Sequence, residues 1–285
     1  MSCTQTGAWR GVAAILLASV LFGAMAVFVR LASAEMAPLQ IAFVRFAGSL
    51  AVLVVATRGR ELRPQAGNLL RLLQRGALGA LSICLYYLGI GGAGAGLATL
   101  LHCTYPVWTV LFAGIFLAER ARRNVIAALV VNLVGVAVVI GPGSGLDAAA
   151  IGGAMYALAA SILAGAAVAT ARHLRATENA SLLTTYFMAV GAVVTTPALF
   201  SGLPPLTWTL TAAVLGVVLT SVAGQWLLHH GLGFTTAATG SLTAATSVVT
   251  AAVLESMILE SWPPPHTFLG AALMIVAIGL ALRRG

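Results

Sequence analysis

The chain has 285 residues, 60% of them hydrophobic and only 8% charged, with a formal net charge of +8 and a mean hydropathy of +1.01. That is too little polar material to clothe a water-facing globule of this length, which excludes a soluble enzyme or binding module and implies an all-α integral membrane protein. All fifteen basic residues are arginines, and they gather at helix ends instead of forming a basic face, which excludes nucleic acid as the partner and leaves the lipid bilayer.

Ten apolar runs, each long enough to cross a ~30 Å hydrocarbon layer as a helix, are predicted at 11–31, 38–57, 72–90, 95–117, 124–141, 150–172, 180–201, 208–229, 236–258 and 266–282. No linker between them has room for a soluble domain, so any activity belongs to the bundle. The first run is too long for a signal-peptide core and is read as a retained span. Cys3, Cys84 and Cys103 show no ligand spacing, and no metal or cofactor motif is present, so neither a metal nor a cofactor is expected.

Span 1 carries Ser19 and, one turn on, Gly23. Span 2 carries Arg45 about two turns from its start; a charge at that depth is a functional suspect. Pairing with Glu35 or Glu255 makes it mainly architectural, and capture of a substrate carboxylate is the second reading. Span 3 ends in Tyr86 and Tyr87, which point about 100° apart on a helix, so only one is expected to face a central axis. The "GIGGAG" that follows (89–94) spells a dinucleotide-binding pattern, but no strand precedes it, and it is read as the turn between spans 3 and 4.

Span 4 opens with "LATLLHCTYPVW", whose Thr99, His102, Tyr105 and Thr109 step by 3, 3 and 4 along one face. Pro106 cannot donate to the His102 carbonyl, so a kink is predicted there with an acceptor left open. In hydrocarbon such a group costs several kcal/mol unless protein or water meets it, which favours a water-filled cavity. His102 is either a hydrogen-bonded structural histidine or a substrate contact or proton-sensitive gate. Tyr86, Tyr87, Tyr105, Trp108 and Tyr156 are candidate apolar walls.

Span 6 holds Ser161 and Gly165. Along span 8, Ser221, Gln225 and His229 follow at i, i+4 and i+8; as a site wall Gln225 suits a zwitterion, and as structure it joins helices. Span 9 carries Thr236, Thr239, Thr243, Thr246 and Thr250 at helical spacing, a second polar stripe expected to face the axis opposite that of span 4. Packing and back-bonding to the helix's own carbonyls is the competing reading for each threonine.

The sequence repeats. At an offset of 142, Gly11, Ser19, Gly23 and Arg30 fall on Gly153, Ser161, Gly165 and Arg172; at 141, Val107, Thr109 and Glu119 fall on Val248, Thr250 and Glu260. Residues 1–142 and 150–285 are thus two five-helix repeats, and an odd number of spans forces the second into the membrane upside down. Inverted repeats of this kind build transporters with a site between the halves. Apart from Arg30 and Arg45, the arginines fall at the ends that become cytoplasmic when the N-terminus is inside, so both termini are expected in the cytoplasm. Trp208 and Trp262 then mark the outer interface.

With "SVLFGAMAVFVR" in span 1, "PLQIAFVRF" in span 2, "YPVWTVLFAGIFLAER" in span 4 and "SVVTAAVLESMILES" in span 9, the chain resembles ten-helix members of the drug/metabolite transporter superfamily, in the EamA-type branch that includes bacterial aromatic-amino-acid exporters. The resemblance implies export of small metabolites, not enzymatic turnover, through a cavity lined by spans 1, 3, 4, 6, 8 and 9. Expected substrates are amino acids or similar small zwitterions moved by a monomer through alternating access. The expected binding set is His102, Tyr105, Trp108, Tyr86, Tyr87, Gln225, Thr243, Thr246, Ser161 and His229, with Pro106, Gly23, Gly165 and Arg45 shaping or gating the path. The rival, a nucleotide-sugar or phosphorylated-metabolite carrier, is disfavoured because the spans are expected to hold one deep arginine.

Overall fold

A computed structural model describes residues 5–58, 63–65, 67–119, 122–140, 148–258 and 265–282. Among these, every regular element is helical: α1 (Gln5–Ala32), α2 (Pro38–Thr57), α3 (Leu69–His102), α4 (Tyr105–Leu117), α5 (Arg123–Ile140), α6 (Ala148–Leu174), α7 (Ala180–Thr195) with a 3-10 turn (Thr196–Ser201), α8 (Trp208–Leu232), α9 (Ala237–Ala244), α10 (Ser247–Ile258) and α11 (Pro265–Leu282). Eight stretches are long and apolar enough to cross a membrane, and two shorter apolar helices, Arg123–Val138 and Phe268–Leu282, complete the ten. Trp262, Glu260, Arg60, Arg120, Arg283, Arg284, Cys3 and the side chain of Glu255 lie outside the described residues.

Local chemistry sets the ends. Thr207, Asn179 and Thr236 accept from the backbone N–H three residues on and so cap α8, α7 and α9. Pro38 and Pro106 occupy first-turn positions of α2 and α4, where a missing N–H is harmless.

Helical bonding runs unbroken from Leu69 to His102, yet α3 is not straight. A straight helix would hold Tyr86 and His102 about 24 Å apart, whereas their rings stack with centroids at 4.4 Å and Tyr86 Oη lies 2.8 Å from Thr99 Oγ1. The chain therefore folds back across the glycine-rich stretch, and spans 3 and 4 lie side by side. What permits the bend is α6: a Cβ on Gly153 would stand 2.2 Å from the Ala93 nitrogen, and one on Gly89 would stand 3.0 Å from the Gly153 carbonyl.

The contacts obey the inverted repeat. The most extensive pairings are α3 with α6 and α1 with α8, so the first span of each half packs on the third span of the other. The Gly89·Gly153 crossing has its counterpart 142 positions away in Gly231·Gly11, where each Cβ would sit within 2.8 Å of the other glycine's carbonyl. Trp208, at the first residue of α8, is 87% exposed.

Candidate functional site

Between the halves lies a cavity of about 700 Å³. It runs from Ser33 and Pro38, at the α1–α2 connection, down to Arg75, Gln225 and Leu228. All six expected spans contribute, joined by Arg45 of α2 and Phe187 of α7.

One wall is an aromatic stack. His102 lies on Tyr86 at 24° between planes, with Tyr105 5.9 Å beyond it, and Tyr105 Oη donates to the Ser241 carbonyl at 2.9 Å. The hydroxyl of Tyr87 and Nδ1 of His102 are buried with no partner. Both Tyr86 and Tyr87 line the cavity, which corrects the expectation that only one could: the cavity wraps far enough around this arm of α3 to take side chains 100° apart, and the two rings splay at 46°.

Helices on both sides of the cavity are interrupted. Span 4 breaks at Cys103 and Thr104, between α3 and α4, and span 9 breaks at Ala245 and Thr246, between α9 and α10. These positions correspond at offset 142. The first follows from Pro106, whose expected kink becomes a full break. The second has no proline; there Thr246 Oγ1 donates to the Thr243 carbonyl at 2.7 Å, and Ser19 Oγ, 2.9 Å from its own Ile15 carbonyl, lies 3.1 Å from the same Thr243 oxygen. Ser161, the repeat twin of Ser19, meets Thr104 Oγ1 at 3.1 Å beside the other break. Broken helices flanking a cavity between inverted halves are a transporter device: the freed backbone groups face water or ligand there.

The floor holds a residue that the sequence reading assigned to a cytoplasmic end. Arg75 lies almost two turns inside α3, 4% exposed. Its Nη2 sits 3.1 Å from His229 Nε2 and its plane lies 4.6 Å over the Phe187 ring. A guanidinium only donates, so His229 Nε2 must accept, which places the ring hydrogen on Nδ1, 2.8 Å from Thr184 Oγ1; that hydroxyl passes its own hydrogen to the Ala180 carbonyl. Gln225 completes the group, its Nε2 at 3.2 Å from His229 Nε2. Nε and Nη1 of Arg75 have no partner. Gly79, one turn on, makes the room: a Cβ there would lie 2.4 Å from Nη1 and 2.6 Å from Phe187 Cε2.

Arg45, 5% exposed, also lines the cavity. The expected pairing with Glu35 is not formed: Arg45 Nε donates to Ser221 Oγ at 2.9 Å, while Glu35 accepts from Thr207 at 3.1 Å. The spans thus hold two deep arginines, not one, and the disfavouring of anionic cargo on that count is withdrawn.

Of the expected binding set, His102, Tyr105, Tyr86, Tyr87 and Gln225 line the cavity, and Trp108, Thr243, Thr246, Ser161 and His229 do not. The hydroxyls of Thr243, Thr246 and Thr109 turn back to carbonyls of their own chain three or four residues earlier; the face of span 9 that meets the cavity is Ser241, Ala244, Ser247, Val248 and Ala251. Helical spacing had united the threonines correctly on one face and assigned that face to the wrong neighbour. Trp108 is held off by α6, since a Cβ on Gly165 would lie 2.5 Å from the Trp108 Cβ. Gly23 meets Thr250 of α10 at the same 2.5 Å, the mirror crossing. His229 stands behind Gln225 as the acceptor for Arg75. Tyr156 is 48% exposed, outside the cavity.

Below the floor, α6 is tied to the partner elements. Arg172 Nε lies 3.5 Å from Glu119 Oε1, Glu119 Oε2 accepts from the Ala237 N–H at 3.2 Å, and Arg175 Nε donates to the His229 carbonyl at 2.8 Å.

A model of the EamA-like transporter family matches this chain twice, over residues 9–141 and 151–283. Over 275 residues the chain is 28% identical to the pseudopaline exporter CntI of Pseudomonas aeruginosa strain UCBPP-PA14, with 96% of each chain covered. An uncharacterized transporter of Helicobacter pylori strain J99 is 27% identical over 135 residues, 46% of this chain and 45% of that one. A solved crystal structure superposes with a TM-score of 0.80 at 18% identity, covering 95% of this chain and 96% of the other; at that identity the likeness is one of fold.

Proposed function

The chain belongs to the EamA-like transporter family, and from that premise we propose that it exports amino-acid-like metabolites carrying a carboxylate across a bacterial inner membrane. The observation that carries this reading is Arg75: a buried guanidinium with two free donors at the floor of the cavity and no described carboxylate paired with it. Holding an uncompensated charge out of water costs several kcal/mol, and an incoming carboxylate, which matches the planar fork, offsets that cost. The Tyr86, His102 and Tyr105 stack supplies a face for an aromatic or aliphatic body. Carbonyls at the break in span 9 and the tyrosine faces suit an ammonium group. The similarity to a pseudopaline exporter supports the direction of transport.

With the arginine-rich ends and both termini in the cytoplasm, the cavity faces outward and the contacts of Arg172, Glu119 and Arg175 close the cytoplasmic side. The inverted halves then exchange roles: parting α6 from α4 and α9 while α1 closes on α10 carries the cavity to the other face.

The test is transport by the purified chain in proteoliposomes with labelled phenylalanine and labelled uridine diphosphate glucose. Saturable phenylalanine movement that falls about tenfold or more in Arg75→Gln, with that variant still monodisperse, is the expected result. Movement of the nucleotide sugar without the amino acid sinks the reading.

A further inference from the structure

Arg45 and Arg75 stand on one polar ladder. Ser221, Gln225 and His229 recur every four residues along α8, so they share a face and rise about 12 Å from first to last. The upper rung holds Arg45, through Nε to Ser221 Oγ at 2.9 Å. The lower rung holds Arg75, through Nη2 to His229 Nε2 at 3.1 Å. The middle rung, Gln225, lines the cavity between them.

Each arginine is anchored by one nitrogen to a neutral partner. Neither is paired with a carboxylate of a described residue; the contact of Arg172 with Glu119 lies elsewhere. The terminal nitrogens of Arg45 have no described acceptor, and Nε and Nη1 of Arg75 are buried and open. Arg30 also lines the chamber, beside Ser33 at the α1–α2 end; Arg45 and Arg75 repel each other within it, and among the described residues no acidic side chain lines it. An anionic group that enters supplies a compensating charge that the described residues do not.

We propose that the cavity selects substrates with two separate carboxylates on one small molecule, Arg75 binding the carboxylate at the floor and Arg45 the one nearer the mouth. This rests on the reading of the chain as a carboxylate exporter and narrows its substrate class to amino dicarboxylates with an apolar body. The separation of the cations decides against phosphate: a phosphate dianion concentrates its charge and calls for cations converging on one point, whereas these two sit at opposite ends of a two-turn ladder and each faces one anionic group. Between them the stack of Tyr86, His102 and Tyr105 offers a largely apolar wall for the connecting chain.

The decisive probes are α-aminosuberate and α-aminooctanoate, which have the same length and differ only in the far carboxylate. In proteoliposomes of the full chain, KM for α-aminosuberate is expected to be lower by about tenfold or more. Arg45→Gln should raise the α-aminosuberate KM by about tenfold and leave α-aminooctanoate within about twofold; Arg45→Lys, which keeps the charge, should restore most of the difference. Equal KM values in the wild type overturn the proposal without any variant having to fold, and so does an equal effect of Arg45→Gln on both probes; either leaves carboxylate export standing. Transport of neither probe overturns the export reading itself, and preferential movement of glucose 6-phosphate overturns both in favour of a phosphorylated cargo.

Discussion

Replacing Gly79 by alanine should weaken substrate binding through Arg75 while leaving the bundle assembled. The added Cβ would fall 2.4 Å from Arg75 Nη1 and 2.6 Å from Phe187 Cε2, where ordinary carbon contacts need roughly 3.5 to 4 Å. Phe187 cannot yield easily: it is 2% exposed and packs edge-on against Phe46 at 5.3 Å. The guanidinium is the free end of a flexible chain and moves instead, by about 1 Å. A shift of that size stretches the 3.1 Å contact with His229 past hydrogen-bonding range. A hydrogen bond to a charged group contributes about 1.5 to 3 kcal/mol, part of which a displaced arginine regains from water in the cavity. A net loss of about 1 to 2 kcal/mol corresponds to a KM increase of about five- to thirtyfold. The assay is concentration-dependent transport in proteoliposomes, with Gly152→Ala as control because nothing lies within 4 Å of a Cβ there. Unchanged KM in a well-folded Gly79→Ala protein would refute the claim that the position of Arg75 determines binding.

Arg75→Gln should cut transport without lowering thermal stability, because it removes an uncompensated buried charge; a large fall in the melting temperature would mark Arg75 as structural. Gly23→Ala and Gly165→Ala should each destabilise by about 1 to 3 kcal/mol and by similar amounts, since their new Cβ atoms meet Thr250 and Trp108 at the same 2.5 Å; thermal unfolding in detergent checks the match. Thr243→Ala should leave transport kinetics unchanged, its hydroxyl being committed to the Thr239 carbonyl at 2.8 Å, and a raised KM would return that residue to the site. Glu119→Gln should loosen the contact with Arg172, whose side chains are about a quarter exposed. Such a pair contributes about 0.5 to 1 kcal/mol, so thiol labelling of Leu228→Cys from the cytoplasmic side, in a background without native cysteines, should quicken about two- to fivefold.

Architecture was legible in the sequence because it is written in spacing. Runs of membrane length gave the spans, and one offset of 142 linked Ser19 with Ser161 and Gly23 with Gly165, each of which lies at a crossing beside a broken helix. The offset holds even for Gly89 and Gly231, because two-fold symmetry copies a contact once it exists. Chemistry was less legible, for a reason that Arg75 makes concrete. Counted along the chain it stands four residues beyond Arg71, near the start of an apolar run, and the arginine bias assigns both to the interface. Only the fold separates them: Arg71 reaches His173 at the surface, and Arg75 turns inward to His229, 154 residues away. One local signal was present, a glycine at 79 placed one turn after a charge within a span, the space that a buried guanidinium needs beside its own helix. The threonine stripe of α9 and α10 failed in the opposite sense. Periodicity gathers side chains on one face without saying which neighbour that face meets, and a hydroxyl within reach of its own helix's carbonyl needs no other partner. A guanidinium has no such retreat, because its own helix offers too few acceptors for five N–H groups. In a chain this apolar, the buried arginines are therefore the surer guide to where the substrate sits.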